Sequence, residues 1–129
     1  MQMTKQEIVT DLAPTPVASY SQAVKVGTTL YLAGQGGFDA KTGQLVGEGI
    51  QEQTRQTLQN LKYVIEAAGG SMNDFVTVRV FISEHGEFPG MNEVYGEFFD
   101  KPYPARTTVS AGLGPGMKVE IDGIAVLSE

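Results

Sequence analysis

Apolar residues recur along this chain with two periods, one typical of helices and the other typical of strands. Spacings of three and four residues between apolar positions predict an amphipathic helix from about Ile50 to Ala68. Gly69 and Gly70 should end this helix. A second helix is predicted around 91–99, and it should stop before Pro102. Alternation predicts a strand in "DFVTVRVFIS", where one side carries Val76, Val78, Val80 and Ile82 and the other carries Phe75, Thr77, Arg79 and Phe81.

Further strands are predicted at about 7–10, 22–26, 29–33, 105–110 and 118–127. The second and third should meet in a tight hairpin at Gly27, and the glycine-rich "AGLGPGM" implies a hairpin between the last two. The order β-β-β-α-β-α-β-β predicts an α+β sheet with both helices packed on one face. Because the strand at 74–83 is apolar on both sides, the other face also needs cover, and we expect an oligomer.

Composition narrows the class of protein. The length of 129 residues suits a single domain, 1–129, and the net charge of -6 without a Lys/Arg cluster argues against nucleic-acid partners. The absence of cysteine excludes disulfides, thiolate metal sites and cysteine nucleophiles. No apolar run reaches membrane-spanning length, and "MQMTKQEIVT" does not have the pattern of a signal peptide, so we expect a cytoplasmic protein without membrane contact.

Few residues are candidates for chemistry. The single histidine, His85, lacks partners at metal-ligand spacing, and no G-x-S-x-G motif marks a nucleophilic serine. Arg106 remains, together with the acidic residues Glu120 and Asp122. If the last two strands form a hairpin, Arg106 and Glu120 lie on adjacent strands and form either a solvated ion pair or a site. In a site, the guanidinium of Arg106 would bind a substrate carboxylate, with Glu120 as the nearby proton handler.

Six motifs, in this order, carry a family resemblance: "LAPTPVASYSQAV", "LYLAGQ", "TLQNLKYVIEAAG", "MNEVYGEFF", "YPAR" and "KVEIDGIAV". The chain resembles the Rid (YjgF) family of reactive intermediate deaminases. The resemblance implies a chorismate-mutase-like fold, with a mixed sheet of about six strands and two helices packed on one face. It also implies a homotrimer with sites between subunits. Such proteins hydrolyse imines and enamines, such as 2-aminoacrylate, to 2-keto acids and ammonia, without a cofactor or metal.

The resemblance also assigns residues. Arg106 matches the arginine that binds the substrate carboxylate, and Glu120 matches the glutamate that directs water. The residues matched to substrate binding are Tyr20, Ala33, Gly34, Asn92 and Thr108.

This chain departs from the family pattern around Tyr20 and at two matched positions. Ala18 and Ser19 stand where many relatives have Gly-Pro, Ala33 replaces a serine, and Thr108 replaces a frequent cysteine. These departures bear on the range of substrates. The missing hydroxyl at Ala33 keeps an alternative open, in which the protein senses ligands or partners and binds small carboxylates without turnover.

Overall fold

The computed structural model describes residues 4–128, which form a six-stranded sheet and two α-helices. The strands are β1 (Gln6–Ile8), β2 (Ala23–Val26), β3 (Thr29–Gln35), β4 (Phe75–Ile82), β5 (Ala105–Ser110) and β6 (Val119–Val126). The helices are α1 (Ile50–Ala67) and α2 (Phe88–Tyr95). The predicted order of elements and the α+β class with a mixed sheet are confirmed.

The sheet runs in the order β1-β2-β3-β6-β4-β5, and β4 with β5 is the parallel pair in a ladder that is otherwise antiparallel. The predicted hairpin of β5 and β6 is therefore wrong, because β4 lies between them. The connection from β5 to β6 crosses the end of β4, where Ala111 N donates to Ile82 O at 2.9 Å and Ser83 N donates to Lys118 O at 3.0 Å. The hairpin of β2 and β3 is confirmed, and Gly27 has a φ of 61° in its turn.

Both helices cover one face of the sheet, as predicted, and the core lies between the two layers. The predicted apolar stripe of α1 supplies Leu58, Leu61, Val64 and Ile65, which are almost fully buried. Gly49 precedes the helix, and its N–H donates to Glu52 Oε1 at 2.8 Å. Gly69 follows the helix with a φ of 89°, a conformation that glycine adopts without strain.

Two local predictions are wrong. A β-bulge between Phe75 and Thr77 reverses the alternation at the start of β4, so Phe75 is buried and Val76 is exposed. The second helix ends at Tyr95 instead of continuing through Phe99. The chain then turns through shorter hydrogen bonds, including Phe98 N to Tyr95 O at 3.1 Å, and this turn buries Phe99 edge-on against Phe75.

The other face, which we call the outer face, is bare in the single chain. Exposed apolar side chains lie on it, among them Tyr31, Val109 and Val126, which are 44–49% exposed. The expectation that another copy of the chain covers this face stays a prediction. Within residues 4–128, no helix is both long and apolar enough to cross a membrane.

Candidate active site

The predicted site residues fall into two groups on opposite faces of the sheet. Arg106 pairs with Val78, whose side chain lies in the core, so Arg106 is on the helix-covered face. Glu120 pairs with Phe81 and therefore lies on the outer face. The expected approach of Arg106 and Glu120 across adjacent strands is wrong, because β4 separates their strands and the two side chains point to opposite faces.

Arg106 is held by an amide and two aromatic rings. Its Nη1 donates to Asn92 Oδ1 at 2.8 Å, and its guanidinium carbon lies 4.6 Å from the centre of the Tyr95 ring and 5.5 Å from that of Phe88. No aspartate or glutamate of residues 4–128 forms an ion pair with Arg106. Most of its donors thus stay open to an anion in the adjoining cavity of about 440 Å³.

Thr108 lies on the same face as Arg106, two residues further along β5. Its side chain lines a second cavity of about 400 Å³, beside Phe88 and His85. The hydroxyl of Thr108 is buried and has no hydrogen-bond partner in the described part of the chain. An unpaired buried hydroxyl of this kind is costly unless a ligand or another chain supplies a partner.

Glu120, Gly34 and Tyr20 form the second group. They line a cavity of about 460 Å³, which we call the Glu120 cavity. A Cβ at Gly34 would lie 2.7 Å from Glu120 Oε2, so the carboxylate packs directly over the glycine backbone. Ala33 precedes Gly34 in β3, where its N–H donates to Gln22 O at 3.0 Å.

Burial raises the pKa of Glu120, and the neighbouring charge of Asp122 raises it further. Asp122 itself is held by Arg79, whose guanidinium donates to both carboxylate oxygens, at 2.9 and 2.7 Å. Because Arg79 binds Asp122, the two carboxylates of β6, Glu120 and Asp122, lie in different surroundings. Asp122 forms an ion pair with Arg79, whereas Glu120 faces the cavity with its pKa raised above the usual value of a carboxyl group.

The part of the chain that the structure describes holds no group of three or more His, Asp or Glu side chains arranged to bind a metal ion. His85 lies exposed in a short turn before α2.

Sequence reasoning misses several residues of both groups. The apolar pattern marks Tyr95 only as a core position of the second helix, although the guanidinium of Arg106 packs against the Tyr95 ring. Of the four buried side-chain amides among residues 4–128, no motif singles out Gln22, Gln53 or Asn60. A signal exists for two of them, since Gln53 and Asn60 lie on the buried stripe of α1, where a polar side chain needs a partner.

A family model described as Endoribonuclease L-PSP matches residues 10–127. The chain belongs to this family, which is the Rid (YjgF) family. One relative in it is the 2-iminobutanoate/2-iminopropanoate deaminase of Dermatophagoides farinae, 45% identical over 124 residues, or 95% of this chain and 97% of the relative. The human protein of the same name is 35% identical over 96% of this chain and 91% of its own length.

Solved structures of the Rid family share the fold. RidA from the Antarctic bacterium Psychrobacter sp. PAMC 21119 is 46% identical and superposes with a TM-score of 0.91 over 95% of this chain and 99% of its own. The structure of Escherichia coli TdcF with bound serine is 37% identical, with a TM-score of 0.90 over 96% of this chain and 100% of its own. At these identities the likeness extends beyond the fold to the sequence.

Proposed function

We propose that this protein deaminates small 2-imino acids and their enamine tautomers by hydrolysis, releasing a 2-keto acid and ammonia. The observation that carries the proposal is Arg106, whose guanidinium is fixed by Asn92 and Tyr95 while most of its donors face a cavity. A planar fork of donors suits a carboxylate. The relatives named 2-iminobutanoate/2-iminopropanoate deaminase act on compounds that carry such a carboxylate.

For this reaction the protein mainly has to position the substrate and the water. With the carboxylate on Arg106, the enamine takes a proton from solvent at its methylene carbon and becomes the iminium ion. Water then adds to the iminium carbon while Glu120 removes a proton from the water. Glu120 returns this proton to the nitrogen of the resulting amino alcohol, and ammonia leaves as the hydroxyl group gives its proton to Glu120, which forms the keto group; Glu120 then releases the proton to solvent. A raised pKa suits Glu120 to these transfers, which contribute about 10²- to 10⁴-fold for a well-placed acid or base.

A second part of the proposal is that each site forms between two copies of the chain, within a homotrimer. Arg106 and Glu120 lie on opposite faces of one sheet, so a three-carbon substrate cannot contact both in a single chain. Apposition of the outer face of one copy to the β5 edge of the next would bring the two groups together. The exposed apolar side chains of the outer face support such a contact.

Binding without turnover is the second candidate, and Ala33 favours it because that position offers no hydroxyl to fix a substrate or water. The bound serine of TdcF is consistent with either function, since serine carries a carboxylate. We do not propose ribonuclease activity, in spite of the family description, because a net charge of -6 opposes the binding of a polyanion.

The test uses 2-aminoacrylate made in place by a pyridoxal-phosphate dehydratase acting on serine, with pyruvate followed through lactate dehydrogenase. The protein should accelerate pyruvate release, and Arg106→Ala should abolish most of that acceleration. Arg55→Ala is the matched control, because Arg55 is an exposed arginine of α1 that pairs with Glu97. No acceleration by the unchanged protein, or full activity of Arg106→Ala, refutes the proposal, and 2-keto acid binding without turnover supports the second candidate.

A further inference from the structure

Three buried side-chain amides bind the backbone of the loops that wall the Glu120 cavity. These are Gln22, Gln53 and Asn60, which are 3%, 0% and 0% exposed. We propose that they are positioning residues, which set the shape of the Glu120 cavity and thereby the rate of the step that Glu120 performs. The inference rests on the proposed function for its kinetic readout, and on geometry alone for its structural readout.

Gln53 joins two loops that are far apart in sequence. Its Nε2 donates to Gly47 O at 2.9 Å and to Gly116 O at 3.0 Å, and its Oε1 accepts from Lys118 N at 2.8 Å. Both N–H groups and the carbonyl of the amide are therefore used. Since Met117 lies between the two positions held in the second loop, Gln53 places Met117 in the cavity wall and sets the start of the strand that carries Glu120.

Asn60, two turns along the same helix face, holds the opposite wall. Its Nδ2 donates to Gly36 O at 3.2 Å and to Phe38 O at 2.9 Å. Gly36 is where the two walls meet, because a Cβ there would lie 2.7 Å from Met117 Cε and 3.0 Å from the Phe38 ring. Gln53 and Asn60 thus fix the two sides of one contact inside the cavity.

Gln22 holds the third wall, the loop that precedes Tyr20. Its Oε1 accepts from Thr10 N at 2.8 Å, and its Nε2 approaches the carbonyl oxygens of Thr10, Ala13 and Pro14 at 3.0, 3.3 and 3.0 Å. Pro14 and Gln22 both line the cavity beside Tyr20.

The physical reason for an amide at each position is that these loops lack regular partners. Buried backbone groups need hydrogen bonds, and a side-chain amide supplies donors and an acceptor without a charge. Removal of an amide would leave buried carbonyl groups unpaired, so the loop would shift to reach water. A displacement of about 1 Å at a catalytic group lowers turnover by roughly 10²-fold.

The decisive experiment compares Gln53→Leu, which removes every polar contact of that side chain, with Ile65→Ala. Ile65 is fully buried in α1, 12 residues or roughly 18 Å along the helix from Gln53, so its truncation destabilises the chain without touching the loops. At a temperature where both variants are folded, Gln53→Leu should lower kcat by about 10- to 100-fold with a much smaller change in KM. Ile65→Ala should keep the kcat of the unchanged protein.

A second variant covers the case in which Gln53→Leu fails to fold. In Gln53→Glu the shape is kept, but the ionised carboxylate accepts from Lys118 N and repels the carbonyl oxygens of Gly47 and Gly116. Protonation restores one donor, so the activity of Gln53→Glu relative to the unchanged protein should rise as the pH falls. A role limited to stability predicts a ratio that does not change with pH wherever both proteins are folded.

The structural readout needs no activity. In protein labelled with ¹³C at the methionine methyl groups, the Met117 signal, assigned from its loss in Met117→Leu, should move in Gln53→Leu or Gln53→Glu and stay in Ile65→Ala. An unmoved Met117 signal, or an equal loss of kcat in Ile65→Ala, overturns the inference. If the unchanged protein does not turn over imines, the proposed function fails, and the Met117 signal alone then decides whether Gln53 positions the cavity.

Discussion

Two variants that the proposed function predicts to be inactive, Arg106→Ala and Glu120→Ala, are expected to restore activity to one another when they are mixed. In one chain the two residues lie on strands separated by β4 and on opposite faces of the sheet. The strands alone are two spacings apart, about 10 Å, which is further than a three-carbon substrate reaches. In the proposed arrangement, a working site takes Arg106 from one copy and Glu120 from its neighbour.

The size of the recovery follows from this arrangement. Consider rings that assemble at random from equal amounts of the two variants. A site works only if a chain with an intact Arg106 is followed around the ring by a chain with an intact Glu120. The chance is one half for each partner, so about one quarter of all sites should be active, whatever the number of copies in the ring. The assay unfolds and refolds the mixture, to exchange chains, and measures pyruvate release from 2-aminoacrylate against the refolded unchanged protein.

The control mixes Arg106→Ala with the double variant Arg106→Ala/Glu120→Ala, which undergoes the same exchange but never supplies an intact Arg106. That mixture should stay inactive. If the two single variants also stay inactive after verified exchange, the site does not form between copies, and the geometric reasoning is refuted. Activity above about one half would contradict random assembly of a two-chain site.

Three further predictions concern single residues. Burial and Asp122 raise the pKa of Glu120, so the stability that its neutral form provides is present at low pH and lost as the pH rises through the raised pKa. Glu120→Gln should therefore raise the melting temperature at neutral pH, and the gain should vanish on acidification in thermal melts. Gly34→Ala should displace the Glu120 carboxylate and lower kcat by about 10-fold or more with little change in melting temperature, while Gly86→Ala, which meets open space, should change neither. Thr54→Val should leave the free energy of unfolding in urea unchanged or raise it by about 1 kcal/mol, because the buried hydroxyl has no partner among residues 4–128.

Each of these three predictions would be contradicted by a specific result. A melting temperature of Glu120→Gln below that of the unchanged protein at neutral pH would mean that the ionised carboxylate stabilises the fold. Full activity of Gly34→Ala would show that Glu120 need not lie where it does. A loss of more than about 1 kcal/mol in Thr54→Val would show that the hydroxyl has a partner.

The family motifs and the hydrophobic periods by themselves determined much of this molecule. The stripe of α1, the hairpin at Gly27 and the bounds 105–110 of β5 are local features, because each depends on residues close together in sequence. The motifs also predicted Arg106, Glu120 and Gly34 as site residues, since these residues stand in short, specific contexts.

Only the tertiary structure decided which strands are neighbours and which face each side chain takes. The sequence of β5 contains nothing that distinguishes a parallel partner from an antiparallel one, and "AGLGPGM" suits a tight hairpin as well as a crossing over the end of β4. The separation of Arg106 from Glu120 followed from that choice. The role of the Gln53 amide likewise depends on the tertiary structure, because its partners Gly116 and Lys118 lie 63 and 65 positions further along the chain. Contacts between residues so far apart in sequence depend on the packing of the whole chain, and no local sequence pattern predicts them.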